Sequence, residues 1–474
     1  MAMARRGMLA GGAAALVGAA TAKASAPSAS LERLQAKLKG RLVLPTDPDF
    51  NGLRRVRSNN PETDRRPAAI ARCAGADDVA RTIAFARRSG HDLTVRAGGH
   101  DVLGASVCEA GLLIDLANLT SVAIDPRGRT ARVGAGVLGG AFNVTAGAHG
   151  LAPVLGCNPA VGVAGLTLGG GIGWMLGVHG AACDHLLGAE IVTADGAVRR
   201  VDHERDPDLF WAIRGGGGNF GVVTSLDFGL VPLGEVLGGA IAFDGAAPGS
   251  IGSFLRFYRD FMASAADALT VELNIFVLDR PIIVALVCWT GASAAGAASL
   301  APLRDYARPA FDGIRPVTYA RLTDQSGAHA PPPFLFWRGA SLDALDDAAA
   351  DTLDAIARDA PPGWSIGLGH VMRGQITRVA DHATPFVRRG GQMTYFIGAG
   401  WDDPAVGAPR MAWVRQAMAK MAPLSSSSTY VNYLGDDSEA AVRRAYGANY
   451  ERLRQVKRRY DPENIFRHNR NIRP

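Results

Sequence analysis

Between Ala69 and Ala97 the apolar positions change period twice. AIARCA reads as a short strand, GADDVARTIAFARRSG places Val79, Ile83 and Ala86 on one helical face, and HDLTVRAG returns to strand spacing. Asp77 or Asp78 is placed to open the helix and Gly90 to end it. The segment therefore predicts a βαβ unit, a parallel strand pair with a helix across it. GLLIDLANL follows as a buried strand, and SVAIDPRGRTARVGAG alternates about a Pro-Arg-Gly turn. A helix is expected from about 137 to 149, then a second hairpin in LLGAEIVTADGAVRRV that turns at Asp195-Gly196. DPDLFWAIR is a short helix opened by Asp206 and Pro207, and GVVTSLDFGLVPL is a strand that closes this half.

From Leu233 the pattern changes: apolar strands such as VELNIFVL and IIVALVCWT alternate with Ala-rich helices, and glycine clusters largely vanish. This predicts a second α+β domain that runs to about Pro423. STYVNYLGDD is strand-like, so a period of two puts Tyr430 and Asn432 on one face and Tyr433 on the other. RRAYGANYERLRQVKRRY reads as a helix with a solvated basic face, and the tail YDPENIFRHNRNIRP as a segment laid along another surface.

Composition narrows the class. At 474 residues, 48% hydrophobic and 20% charged, the chain buries a large core and is neither disordered nor fibrous. The net charge of +6 comes mostly from scattered arginines, with Lys only at 23, 37, 39, 420 and 457, so no nucleic-acid stripe is expected. The first 26 residues combine Arg5 and Arg6, an apolar run from Met8 to Ala20, and Ala24-Ser25-Ala26. They read as an export leader of twin-arginine type cleaved after Ala26, with a frayed N-terminus as the alternative. The mature protein is expected in the periplasm or outside the cell, handed over by the export machinery, with no membrane span. The five cysteines have no paired spacing, and their odd number in an exported chain suggests a thiol used for something other than a disulfide.

The candidate chemistry sits in AGGH at 97 to 100, AVGVAGLTLGGGIG at 160 to 173, RGGGGNFG at 214 to 221 and YVNYLGD at 430 to 436. The third contains a formal G-x-G-x-x-G at Gly216, Gly218 and Gly221, but it follows a helix and precedes a strand, the reverse of a dinucleotide fingerprint. No phosphate-binding G-x-x-x-x-G-K-[ST] and no G-x-S-x-G occurs. Glycines let backbone N–H groups approach a ligand, and converging loops of this kind cradle a diphosphate. A turn explains any one of them; three between Ala97 and Gly221 favour a large phosphate-bearing cofactor. HGAACDH, with His179, Cys183, Asp184 and His185, fits no zinc template, so no metal is expected.

VRAGGHD, VGVAGLTLGGGIGW, CDHLLGAEIVTADG, DLFWAIRGGGGNFGVVTS, YVNY and YDPENIFRHNRNI together resemble the berberine-bridge-enzyme-like flavin oxidoreductases, a branch of the vanillyl-alcohol-oxidase (PCMH) type of FAD-binding fold. The resemblance covers roughly residues 60 to 232 and 426 to 472. It implies an α+β chain: after the leader at 1–26, a two-subdomain FAD-binding domain at 40–232 and an α+β substrate domain with an antiparallel sheet at 233–425. A C-terminal segment at 426–474 returns to the FAD domain. FAD contacts carried over are Arg96, Ala97, Gly98, Gly99, His100, Asp101 and Gly104; Val161, Gly162, Gly165, Leu166, Gly169, Gly170, Gly171 and Gly173; and Gly221, Val222 and Asn432.

In that family the histidine at the His100 position is bonded to the flavin 8α-methyl carbon. Many members also bond a cysteine to C6; the family position falls on Asn158, with Cys157 one residue earlier as the candidate. Valine at the Val161 position goes with oxygen-reactive members. Tyr430 is implied as the catalytic base, with Asn432 positioning cofactor or substrate and Arg388 or Arg389 as candidates to lower the tyrosine pKa. Phe396 departs from relatives that carry a polar or acidic group there. Tyr319, Phe334, Phe336, Trp337, Trp364 and Tyr395 read equally as pocket or core.

The implied reaction is oxidation of an alcohol, a sugar or secondary-metabolite hydroxyl, by hydride transfer to flavin N5, with O2 reduced to hydrogen peroxide. A flavin dehydrogenase using another acceptor, or a non-catalytic flavin or carbohydrate binder, are the alternatives.

Overall fold

The computed structural model describes residues 26–326, 333–387, 389–390 and 393–474. All of the leader reading at residues 1–26 except Ala26, and the Arg388 candidate, lie outside the described residues. No helix among them is long and apolar enough to cross a membrane.

The first sheet has four strands. Ala69–Arg72 and Leu93–Arg96 are parallel, as the βαβ pattern predicts, but they are not neighbours: each pairs with Leu112–Asp115, which lies between them. GLLID is the most apolar of the three and takes the position buried on both sides. The helix Ala76–Ser89 buries Val79, Ile83 and Ala86 and ends at Gly90, whose φ of 69° is the left-handed cap geometry. Asp78 does not cap this helix. Its carboxylate accepts the backbone N–H groups of Lys39, Gly40 and Ala74 and so pins the N-terminal strand Arg41–Val43 to the sheet.

The second sheet is five-stranded and antiparallel, with both predicted hairpins closed by Val222–Gly229 in the middle. One hydrophobic core joins these two sheets and takes in Val431, Val442, Leu453, Phe466 and Ile472 of the C-terminal segment.

The third sheet is the largest, eight strands that include Glu235–Asp244, Leu269–Val277, Pro281–Trp289, Phe334–Leu342, Trp364–Val371 and Met393–Trp401. Its alternation is amphipathic in an unusual sense. Val271, Leu273, Ile275, Ile366, Leu368, Tyr395 and Ile397 pack against the helices Ser250–Ser264, Asp347–Asp359 and Gly407–Met421 in a second core. The opposite positions, Glu272, Ser365, Phe396 and Gly398, face a cavity between this sheet and the first two.

Two C-terminal expectations are corrected. YVNY is not a strand: Val431–Tyr433 is a single 3-10 turn, tied to the large sheet by one bridge from Leu434 to Gly339. The basic stretch is two helices, Glu439–Tyr446 and Tyr450–Tyr460, broken at Gly447 with φ 51°. Its face is not uniformly solvated, since Lys457 is fully buried beside Asp461.

Candidate active site

The cavity between the sheets is about 530 Å³, and three of the glycine loops reach it. Ala97, Gly98, Gly99, His100 and Asp101 follow the strand Leu93–Arg96; Val161, Gly162, Gly165, Leu166 and Gly169 surround the short helix Val163–Leu168; Gly221 and Val222 begin the central strand of the second sheet. Two loops are locked backbone to backbone, because a Cβ at Gly98 would stand 2.3 Å from the Gly162 nitrogen. Gly165 and Gly218 have nothing within 4 Å of a Cβ, so there the missing side chain leaves open room on the cavity wall. Close-packed loops with open glycines between them form a cradle that fits an extended diphosphate-linked ligand such as FAD. The far wall comes from the C-terminal tail, where Phe466, His468, Asn469 and Arg470 line the cavity and Arg470 pairs with Asp101.

Five of the residues carried over for FAD do not reach the cavity. The Arg96 guanidinium is turned to the Asp115 carboxylate at 3.0 Å and the Arg55 carbonyl at 3.2 Å. Gly104, at φ 63°, makes room for Thr63 and offers its carbonyl to Arg65. Gly170, Gly171 and Gly173 serve packing: a Cβ there would stand 3.0 Å from Phe386, 2.6 Å from Ala182 and 2.0 Å from the Leu155 carbonyl. They buttress the cradle from behind.

His100, Cys157, Tyr430 and Asn432 all line the cavity. Burial, aided by the Arg57 charge, pushes His100 down to about 4, so its imidazole is neutral at neutral pH. The Tyr430 hydroxyl oxygen accepts the Gly171 N–H at 2.9 Å and an Asn432 amide N–H at 2.7 Å. Asn432 Nδ2 also donates to the Leu166 carbonyl at 3.1 Å, which fixes its orientation. Burial holds the Tyr430 phenol well above its ordinary value, and these two donors oppose that shift.

The expectation that arginine lowers the tyrosine pKa is corrected for Arg389. Its guanidinium is committed to Asp184 at 2.7 and 2.9 Å and to Thr384 at 2.6 Å, and it reaches Tyr430 only through Phe386. The same pair absorbs Asp184 of the HGAACDH stretch, while His185 bonds the His179 carbonyl at 2.8 Å. Of the aromatic candidates, Trp337 lines the cavity; Tyr319, Phe336, Trp364 and Tyr395 are core. Trp337 meets both Phe396 and Tyr433 edge-on, with centroids 5.6 and 5.5 Å apart.

Sequence reasoning missed one cluster. Cys157 Sγ is 3.0 Å from His370 Nε2, and the donor atoms of Cys157, Glu272 and His370 all lie within 4.8 Å of one another. His370 reaches the cavity because Trp364–Val371 carries one extra residue between Leu368 and Val371, a bulge that shifts the alternation. The available signal was Glu272 itself, an acid inside the otherwise apolar VELNIFVL. Burial drives the Cys157 thiol well up and His370 down to about 4, which describes a neutral thiol–imidazole pair. Burial also raises Glu272, against hydrogen bonds from Asn274 and Cys157.

Comparison with known proteins agrees with this geometry. A model described as FAD binding domain matches residues 67–202, and one described as berberine and berberine like matches residues 429–473. The chain is 31% identical over 461 residues to (R)-6-hydroxynicotine oxidase of Paenarthrobacter nicotinovorans, covering 92% of this chain and 97% of that protein. It superposes on the crystal structure of 6-hydroxy-D-nicotine oxidase from Arthrobacter nicotinovorans with a TM-score of 0.85 at 28% identity, covering 92% of this chain and 98% of the other. Berberine bridge enzyme from Eschscholzia californica shares the fold, with a TM-score of 0.82 at 21% identity, covering 94% of this chain and 99% of that one.

Proposed function

The chain belongs to the berberine-bridge-enzyme-like FAD-linked oxidoreductases, and from that premise we propose that it is an oxidase that holds FAD covalently through His100. The observation that carries this reading is the convergence of His100, Cys157 and Tyr430 on one cavity with the open glycines Gly165 and Gly218. FAD, when bound, supplies the two-electron acceptor. The glycine loops and the C-terminal tail would hold it, with His100 and Cys157 as its points of attachment. A neutral His100 has a free ring nitrogen to offer as the point of attachment. Cys157 is the second attachment we propose, since its sulfur, one residue before the family position, lies in the cavity wall.

At the substrate, Tyr430 takes the proton from the hydroxyl that is oxidised. Two N–H donors already aimed at its oxygen stabilise the phenolate that a base must form or approach. Asn432 keeps that oxygen in place. Val161, on the cavity wall, goes with O2 as the acceptor and hydrogen peroxide as the product. Export by the twin-arginine route completes the reading, and N-terminal sequencing of the mature protein tests the cut after Ala26.

Acid precipitation is the direct test of attachment. The yellow colour is expected to stay with the protein and to leave it in a His100→Ala, Cys157→Ser double variant. Colour that washes out of the wild type would sink the covalent reading. Rapid reoxidation of the reduced protein in air supports the oxidase; slow reoxidation transfers the reading to a dehydrogenase with another acceptor. A purified protein that takes up no FAD leaves only a binding module.

A further inference from the structure

We infer that His370 is the proton acceptor that arms Cys157 for its bond to the flavin, so that the second attachment is made by a thiol–imidazole pair. This rests on the proposed attachment of Cys157 and assigns the residue that carries it out.

The geometry isolates one contact. Cys157 Sγ lies 3.0 Å from His370 Nε2, and both residues line the cavity. His370 gets there through the extra residue that Trp364–Val371 carries between Leu368 and Val371, and bulges of this kind re-aim side chains beside ligand sites. The other ring nitrogen, Nδ1, is buried without a partner among the described residues. Leaving a buried polar atom unpaired is costly, so the ring is oriented by its sulfur contact and by the edge of Trp174, not by a second hydrogen bond.

Burial then decides which neighbour of the sulfur can take a proton. It favours the neutral form of every group, and the neutral form of an acid already holds its proton. Glu272, which also bonds the Cys157 thiol, is raised by burial, and so are Cys288 and Tyr433. The neutral form of an imidazole is instead the one with a free nitrogen, and burial pushes His370 down to about 4. The desolvation that disarms the three acids thus leaves His370 as the acceptor, with its proton on Nδ1 and the Nε2 lone pair toward the sulfur. Burial raises the thiol too, so the resting pair is neutral, whereas the nucleophile is the thiolate. The proton therefore crosses as the sulfur bonds, and the opposite charges that develop stabilise each other across 3.0 Å.

In the step assigned, a bond forms between Sγ and flavin C6, the S–H and C6–H bonds break, and the thiol proton passes to Nε2. The C6 hydrogen leaves as a proton and two electrons stay on the flavin. O2, the acceptor of the proposed oxidase, then takes both electrons and both protons as hydrogen peroxide, and His370 is returned neutral.

The test reads the bond itself in purified holoproteins, by the masses of the flavin-bearing peptides. Wild type is expected to yield the His100 and Cys157 peptides joined through one flavin. His370→Ala is expected to keep flavin on His100 but to lose the joined pair at least ~10-fold. Imidazole added to that variant in air is expected to restore the pair in proportion to its unprotonated form, a rescue that a residue with only a structural role would not show. His370→Gln, which fills the space without a basic nitrogen, is expected to lose the pair likewise and serves if the alanine variant does not fold. A joined pair at the wild-type level in either variant would overturn the inference, as would a loss that imidazole does not reverse. Wild type with flavin on His100 alone sinks the attachment of Cys157 and this inference with it, whereas wild type that binds no flavin sinks the oxidoreductase reading.

Discussion

His370 and Tyr430 show how burial acts with opposite signs on two groups of one site. The phenol is pushed up, away from ionisation, and the protein answers with two N–H donors at its oxygen. The imidazole is pushed down to about 4 and has the Cys157 sulfur 3.0 Å from Nε2, while Nδ1 has no partner among the described residues. A histidine neutral in the fold but titrating near 6.5 when unfolded makes the unfolded state the better proton binder between those values. Stability from this group is thus complete above about pH 6.5 and is lost as pH falls toward 4, at no more than about 1.4 kcal/mol per pH unit. Unfolding of the holoprotein across that window is expected to show a steeper acid loss in the wild type than in His370→Gln. Glu272, whose raised carboxyl works in the opposite sense, is present in both proteins, so the difference reports His370. Equal slopes would mean that His370 is protonated in the fold.

Elements decide what the glycines are for. Gly165 sits inside the helix Val163–Leu168 with open space where a Cβ would go, and Gly98 is pressed against Gly162. Alanine should therefore separate the two roles. Gly165→Ala is expected to leave the flavin-free protein as stable or up to about 1 kcal/mol more stable, since a helix prefers alanine, while lowering flavin content. Gly98→Ala drives a methyl into backbone and is expected to cost about 1–3 kcal/mol with or without flavin. Thermal unfolding and flavin absorbance of the two variants check this; a Gly165→Ala protein fully loaded with flavin would mean that the helix does not contact the cofactor.

The same scale shows what was legible in the sequence. Both hairpins and the helix under Gly90 follow from apolar period and turn chemistry, which are local properties. Strand order is not local: nothing between Ala69 and Ala97 states that Leu112–Asp115 will be inserted between its two strands. YVNY alternates like a strand but sits where the sheets and the cavity meet, and the hydrogen bonds from the Gly171 N–H to the Tyr430 oxygen and from Asn432 to the Leu166 carbonyl hold it in a turn. His370 depends on a one-residue bulge, and a bulge leaves no mark in the apolar pattern of WSIGLGHV. The glycine motifs marked the right loops, while which glycine faces the ligand and which faces its neighbour is settled only by packing.

At the scale of the whole molecule the cavity depends on how the last helix is fastened. Lys457, fully buried, donates to Asp461 at 2.6 Å, to the Asn219 carbonyl at 2.8 Å and to the Phe466 carbonyl at 3.0 Å. Asn219 belongs to the glycine loop at 214 to 221 and Phe466 to the tail, and both line the cavity. One ammonium therefore joins the end of the chain to a loop that precedes it by more than two hundred residues. Asp461 also accepts the N–H groups of Ile465 and Phe466, which starts the tail in the right direction. Removing one member of a buried pair strands the other charge, so Lys457→Met is expected to cost about 3–5 kcal/mol and to loosen the flavin. Adding Asp461→Asn removes the stranded charge while keeping an oxygen for the two N–H groups, and most of that stability is expected to return. Flavin retention is the sharper measurement. If the ammonium is the fastening, the double variant regains its melting temperature but still releases or fails to load FAD, because the Asn219 and Phe466 carbonyls lose their shared donor and the Asn219 side chain, bonded to the Arg470 carbonyl and the Ile472 N–H, does not replace it. A double variant that recovers both would reduce Lys457 to a counter-charge, and the cavity wall would then be held by the Asn219 hydrogen bonds to Arg470 and Ile472 and by the apolar contacts of Phe466 and Ile472.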